Sequence, residues 1–513
     1  MRRLGIAMIP LLMVGCLGQV QDEQPGAADD LSRRQCGDGL CQRFESCTIC
    51  SRDCGQCSVQ DPVGAQGDMA QASAPVNMAQ SGSPSVATTS QSDTNPPSVS
   101  VGTGNNWYVR PTSQGANNGK DWNNAWSVSS LNASWSSVSP GDTVWLAGGT
   151  YTTKLTASKS GTNAARIYIK RVLATDSVPA SATGWEPSFD SHVSFVVPYN
   201  GPNESQLLLS GDYITADGQI PSGIKFKLPA NPAGQKINAA MMDGSYCVVQ
   251  YTEAAGPGSN ANHYGTPRLL AIYGNYDTSR FNYGHGLTQP YTLAFNHGTI
   301  VEHDTIADNG SLDHATYHDD IMEFNQATGS TIRYCTWDGW SAEGVMMWNG
   351  AGSMWVYGNT FKNGGAGGVL WPSKTLQTEA GPVYFYNNTL INASASQDQS
   401  ANGTWAAGSI ARNNIYWANT NWVGGWGAWP IADRDYEFAA TPLQAGNPPG
   451  GHNILNGTNP FVNFSSGDYR IVSTVGATYP RDKGVALSPP YNVDPDGITR
   501  GADGLWDIGA YEY

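Results

Sequence analysis

Beyond about residue 106 the chain is written in short runs of Val, Ile, Thr and aromatic residues, broken by Gly, Asn and Asp. Apolar and polar positions alternate within the runs, and almost nowhere do apolar residues recur at helical spacing, so the pattern predicts many short strands. The runs also repeat. Aligned on their apolar ends, VEHDTI (301–306), IRYCTW (332–337), VYGNTF (356–361) and FYNNTL (385–390) are versions of one pattern, with RNNIYW (412–417) a looser copy. A second set lies upstream of each: YTLAFN (291–296), DIMEFN (320–325), GVMMWN (344–349) and GVLW (368–371). In that alignment Leu293, Met322, Met346 and Leu370 form one column, and Phe295, Phe324 and Trp348 another. Repeats of roughly 20 to 50 residues mark solenoids or propellers. One strand pattern with variable loops suits the coils of a parallel β-helix, where like side chains meet across roughly 4.8 Å. An irregular β-sandwich is the competing arrangement. Asn359 and Asn388 fall at equivalent turn positions, consistent with an asparagine ladder along the axis, and His303 and Asp304 stand at the equivalent place in the repeat that precedes Tyr334 and Cys335.

Composition agrees with an all-β chain. Of 513 residues 60 are glycine and only 13% are charged, unlike the Ala, Glu, Lys and Leu excess of helical arrays. With 27 Lys and Arg against 42 Asp and Glu, the net charge is -15, the wrong sign for gripping a phosphate backbone, so nucleic acid is excluded as a partner.

The first hundred residues read as address and tether. Residues 1–15, MRRLGIAMIPLLMVG, carry two arginines, a short apolar run and small residues before Cys16. The run is shorter than the ~20 residues a bilayer span needs, and it fits a secretory signal. Leu12, Met13, Val14, Gly15 and Cys16 resemble the lipobox of bacterial lipoproteins, which implies that Cys16 is acylated and that the membrane is met through this lipid alone. Residues 16–35 then form a tether. Cys36, Cys41, Cys47, Cys50, Cys54 and Cys57 crowd residues 36–57, a disulfide framework for an oxidising compartment. Two CxxC pairs keep a metal site as the alternative, and the pairing stays open. CGDGLCQRFESCTICSRDCGQC resembles short cysteine-rich modules that follow lipoprotein signals in bacterial surface proteins. Residues 58–105, rich in Ser, Ala, Gln, Pro and Thr, read as a disordered linker that holds the following domain off the surface.

Residues 106–513 resemble the pectate-lyase-like, right-handed parallel β-helix proteins of bacterial surfaces. The likeness is carried at the start by SQGANNGKDWNNAW (113–126), PGDTVWLAGGTY (140–151) and RIYIK (166–170). At the end it is carried by NPFVNFSSGDYRI (459–471), DKG (482–484), DPDGITR (494–500) and WDIGAYEY (506–513). The resemblance implies a single β-helix domain and leaves the chemistry open, because this fold hosts lyases, hydrolases, esterases and binding proteins.

Ionisable residues are scarce, so LDHATYHDDIMEFN (312–325) stands out. With Met322 and Phe324 inward, Asp319, Glu323 and Asn325 face out, and Glu343 comes near Asp319 one coil later. The candidate catalytic residues are therefore His318, Asp319, Asp320, Glu323, Arg333 and Glu343. Close carboxylates can split acid and base roles in glycoside hydrolysis. They can also hold calcium (Ca2+) against an acidic sugar, for which Asp319, Asp320 and Glu343 are the candidate ligands. A lyase further needs a base, with His318, Arg333 and Lys374 at hand. Tyr317, Trp340, Trp371 and Lys374 are candidate substrate-binding residues, and Trp422, Trp426 and Trp429 stand in a glycine-rich loop that could wall a groove. The plain alternative is that turn aspartates only cap backbone amides. The reading that results is a surface-tethered monomer acting on extracellular polysaccharide, a lyase ahead of a hydrolase, against a non-catalytic glycan-binding β-helix.

Overall fold

The structure is a computed structural model describing residues 104–513, apart from 200, 202–203, 230–234, 258–264, 310–319, 341–343, 349–350, 365–368, 373–380, 394–407, 418–432 and 440–450. The signal, Cys16, the cysteine-rich stretch, nearly all of the linker and the Trp422–Trp429 loop lie outside the described residues.

Three parallel sheets share the strands of a right-handed β-helix. Thr278–Arg280 belongs to sheet I, Tyr283–His285 to sheet II and Tyr291–Ala294 to sheet III, after which Ile300–Glu302 returns to sheet I one coil on. Sheets I and II each hold 12 strands among the described residues, and sheet III holds 8. The hexapeptides of the sequence repeat are corners. In VEHDTI, Glu302 ends a sheet I strand, His303 turns the chain with φ 53° and Thr305 opens a sheet II strand. Their register is the expected one: Val301, Ile332, Val356 and Phe385 are paired in turn. The looser copy begins one residue earlier than expected, at Ala411.

Each corner needs a left-handed residue, which costs a non-glycine side chain roughly 1–2 kcal/mol. Tyr251, Phe281, His303 and Tyr334 accept that cost and stack along the axis, with Tyr251–Phe281 and Phe281–His303 centroids 5.1 and 4.9 Å apart. Inside the corner runs the ladder. The Asn359 amide donates to Asn388 Oδ1 at 3.0 Å, Asn388 donates to Asn414 Oδ1 at 3.1 Å, and Asn414 to Glu437 at 3.2 Å. Asp304 holds the equivalent place upstream and accepts from the backbone N–H of Asn282.

Sheet III departs from the expected columns. Tyr291 pairs with Met322, Met322 with Val345 and Val345 with Leu370, while Leu293, Phe324 and Met347 form the second inward row, with Pro372 next in backbone register. Trp348 therefore aligns with Asn325 and Ala294, and Phe295 is an exposed left-handed corner residue. The cause is GVMMW, apolar on both faces, which leaves a one-residue slip invisible to sequence alignment. Met322 and Phe324 do point inward, and Glu323 outward.

One α-helix, Val128–Ser134, was not visible in the pattern. Ser127 caps it by accepting from the Ser130 N–H, and its buried Val128 and Leu131 join the core near the first coil. At the other end the closing segment folds back over the corners. Asn387 donates to the carbonyls of Asp507 and Gly509, Ala510 N–H donates to Thr389 Oγ1, and Tyr491 packs edge-on against Tyr357 and Tyr386. Cys247 and Cys335 are buried thiols that donate to the carbonyls of Gly211 and Val301.

Candidate active site

The outward face of sheet III carries an unusual concentration of charge. Its two eight-residue strands, Gln235–Met242 and Gly265–Ile272, pair in parallel, setting Lys236 beside Thr266 and Asn238 beside Arg268. Inward–outward alternation breaks at Ala239–Ala240 and Leu269–Leu270, where both residues of each pair enter the core. The pairing skips Ala239 and Leu269 there, and the polar residues collect just before that irregularity.

Arg268 is the centre of the group, with a side chain only 2% exposed. Its Nε donates to Gln289 Oε1 at 3.0 Å, and Nη2 reaches the same oxygen and lies 3.7 Å from Glu323 Oε2. Gln289 Nε2 and Thr292 Oγ1 donate to that carboxylate oxygen at 3.1 and 3.4 Å. Burial pulls the guanidinium's proton affinity down, and the negative charges of Glu323 and Asp320 and the Tyr273 phenol oppose it. Lys236, half-buried nearby, is pushed down to about 8, first by the Arg268 charge and then by burial, with Glu323 pulling the other way. A lysine so placed is partly neutral near neutral pH, the state needed of a base. Around it the buried atoms Ser205 Oγ, Gln206 Oε1, Asn238 Oδ1 and Thr266 Oγ1 have no hydrogen-bond partner among the described residues.

Of the residues expected from sequence, Asp320 and Glu323 join this group. Asp320 is fully buried within reach of the Arg268 charge, and Glu323 is partly exposed. Arg333 does not join it. It stands in the outward row of sheet I, where Nη2 is 2.6 Å from Glu302 Oε2 and Nη1 donates to Tyr357 OH at 3.1 Å. Adjacency in sequence misled because the chain turns a corner between Asn325 and Thr331 onto another sheet. Trp340 is also corrected: at 3% exposure it lies in the core, edge-on to Phe361, and a β-carbon on Gly364 would run into its ring. The glycine beside it makes room for the indole inside the helix. Trp371 sits on a sheet III strand in line with Met346 and Glu323. Tyr317, His318, Asp319, Glu343 and Lys374 lie outside the described residues, as do two of the three expected calcium ligands. Among the described residues no three acidic, His or Cys side chains converge as a metal site.

Lys236 and Arg268 escaped the sequence reading because the repeats were traced only downstream of residue 291. The signal was there: SRFNYG (279–284) and VQYTEA (249–254) fit the same corner pattern. Extending it would have put these two cations on neighbouring coils.

No family model matches the chain, and no curated protein does. Solved structures do. The chain is similar to the crystal structure of pectate lyase Pel9A, with TM-score 0.52 and 15% identity over 80% of this chain and 97% of that one. It is similar to XylC in complex with xylose at TM-score 0.45 and 10% identity, over 79% and 98% of the two chains. An alginate lyase from Paenibacillus sp. str. FPU-7 aligns at TM-score 0.39 and 12% identity, over 64% and 96%. At such identities the Pel9A likeness shows the fold: a pectate-lyase-like β-helix.

Proposed function

We propose that the protein is a polysaccharide lyase that cleaves uronate-bearing glycans on the outer face of sheet III, with Lys236 as the base. The observation that carries this is a half-buried lysine lowered to about 8 beside a buried arginine, on a face lined with unsatisfied polar atoms. In β-elimination the neutral Lys236 amine takes the proton from C5 of the uronate. The electron pair left behind forms the C4–C5 double bond, the C4–O bond to the leaving sugar breaks, and the lysine ammonium returns its proton to the departing oxygen. The likeness to pectate lyase Pel9A is in keeping with this reading.

The proposal includes a lipid tether at Cys16, a disulfide-bonded module at residues 36–57 and a place at the cell surface, all resting on the sequence. Calcium through Asp319, Asp320 and Glu343 fits poorly at its described member, because Asp320 is buried beside a guanidinium, and the step above is written without a metal.

The test is incubation of the protein with acidic and neutral polysaccharides, following ultraviolet absorbance of unsaturated ends and, separately, reducing ends. Unsaturated product from an acidic polymer, undiminished by EDTA, is expected. Reducing ends without that absorbance would mean hydrolysis, and binding with neither would mean a non-catalytic protein.

A further inference from the structure

Glu323 is held by one oxygen. Its Oε2 accepts from Gln289 Nε2 at 3.1 Å and from Thr292 Oγ1 at 3.4 Å, and lies 3.7 Å from Arg268 Nη2. Gln289 fixes the sense of these bonds. Its amide oxygen is taken by the guanidinium, by Nε at 3.0 Å and by Nη2, so its amide nitrogen is the end turned to the carboxylate. All three donor residues are buried, whereas the Glu323 side chain is 24% exposed and outward on its strand. Oε1 has no hydrogen-bond partner among the described residues. An ionised carboxylate can only accept, so sheet III presents at this point a fixed acceptor that takes a hydroxyl and repels another carboxylate. The guanidinium lies against Oε2 and its side chain is 2% exposed, so an incoming anion meets Oε1 before it.

The strand register sets Glu323 apart from Lys236. From Gln235–Met242 the sheet steps to Gly265–Ile272, then Tyr291–Ala294, then Met322–Asn325, three steps of roughly 4.8 Å, or about 14 Å along the axis. A polymer lying along the axis and cleaved at Lys236 therefore meets Glu323 beyond the sugar being cleaved. We infer that Glu323 is a specificity-determining residue of this face, its Oε1 accepting a hydroxyl from an uncharged sugar of the bound polymer, three coils from Lys236. Glu323, which the sequence offered as a catalytic acid or base, then has a different job: it reads the polymer away from the chemistry. Taken with the proposed lyase reading, on which this rests, the substrate class is a glycan that carries both uronate and uncharged sugars. A uniform polyuronate would set one of its carboxylates against Glu323.

The test compares one polymer with and without its charges. Polygalacturonate and its partly methyl-esterified form share a backbone and differ in free carboxylates. Retardation of the full chain in native gels containing either polymer, in excess, gives an affinity for each without reading turnover. The parent should bind the partly esterified form about tenfold better, the worth of one close like-charge contact near a surface. Glu323→Gln, which keeps the shape and an acceptor oxygen, should bring the two affinities to within about threefold by strengthening the grip on polygalacturonate. Asp503→Asn, which removes one exposed negative charge from the closing segment, should leave the ratio as in the parent. Should Glu323→Gln fail to fold by circular dichroism, Glu323→Ala takes its place with the same expected ratio. A ratio that coincides with the parent's in the Glu323 variant, one that moves as far in Asp503→Asn, or a parent that binds neither form overturns the inference. Unsaturated product with an unmoved ratio overturns it and spares the lyase. A ratio that moves as expected in a protein forming no unsaturated product supports the inference and counts against the lyase.

Discussion

Asp304 shows how one residue can couple this solenoid to pH. It occupies an asparagine-ladder position, fully buried, and accepts from Ser279 Oγ at 2.5 Å, the Asn282 N–H at 2.6 Å and Tyr291 OH at 2.7 Å. Burial raises its carboxyl to about 7 in spite of those three donors, and Glu302 adds to the rise. The folded value exceeds the unfolded one of 3.8, so the stability this group contributes is fully present below 3.8 and is lost as pH rises through about 7. The parent should therefore lose about 2–3 kcal/mol from this residue between pH 5 and pH 8. Asp304→Asn should flatten that loss, as measured by denaturant unfolding at the two pH values. An equally steep fall in the variant would contradict the assignment. The ladder position of Asp304 was legible from repeat position alone, whereas His303, expected there with it, stacks at the corner instead. The burial of Trp340 and the engagement of Arg333 with Glu302 were not, because they depend on which sheet each strand enters.

Among the elements, the corners were easiest to read and sheet III hardest. A corner combines a left-handed residue, a ladder side chain and a threonine in fixed order, as in Asn387, Asn388 and Thr389, and that order survives loop-length changes. Sheet III strands such as Val345–Trp348 are apolar throughout, so their register is set by packing and not by pattern. The corner's importance can be measured at Asn388. Its side chain accepts from the Asn359 backbone and amide and donates to Val356 O and Asn414 Oδ1, at 2.9–3.1 Å. Asn388→Ala leaves several buried groups without partners, and a cost of about 2–4 kcal/mol is expected in equilibrium unfolding. A loss below about 0.5 kcal/mol, the range of an ordinary surface change, would show that the ladder is incidental.

Across the described residues, the repeat pattern builds a parallel β-helix, and the proposed site lies on its sheet III. A net charge of -15 opposes the approach of an acidic polymer to the chain as a whole. The fold brings Lys236 and Arg268, 32 positions apart, onto adjacent coils, with Glu323 against the guanidinium. Base chemistry on that face requires the amine to be neutral, so the rate of elimination should rise with pH and level off above about 8. The most direct measurement is the initial rate of unsaturated-product formation by Lys236→Gln on the polymer the parent cleaves best, alongside the binding of that polymer. The expected result is a loss of roughly 100- to 10,000-fold in rate with binding retained. A variant that keeps its rate to within about threefold, well short of what a general base contributes, would contradict the account.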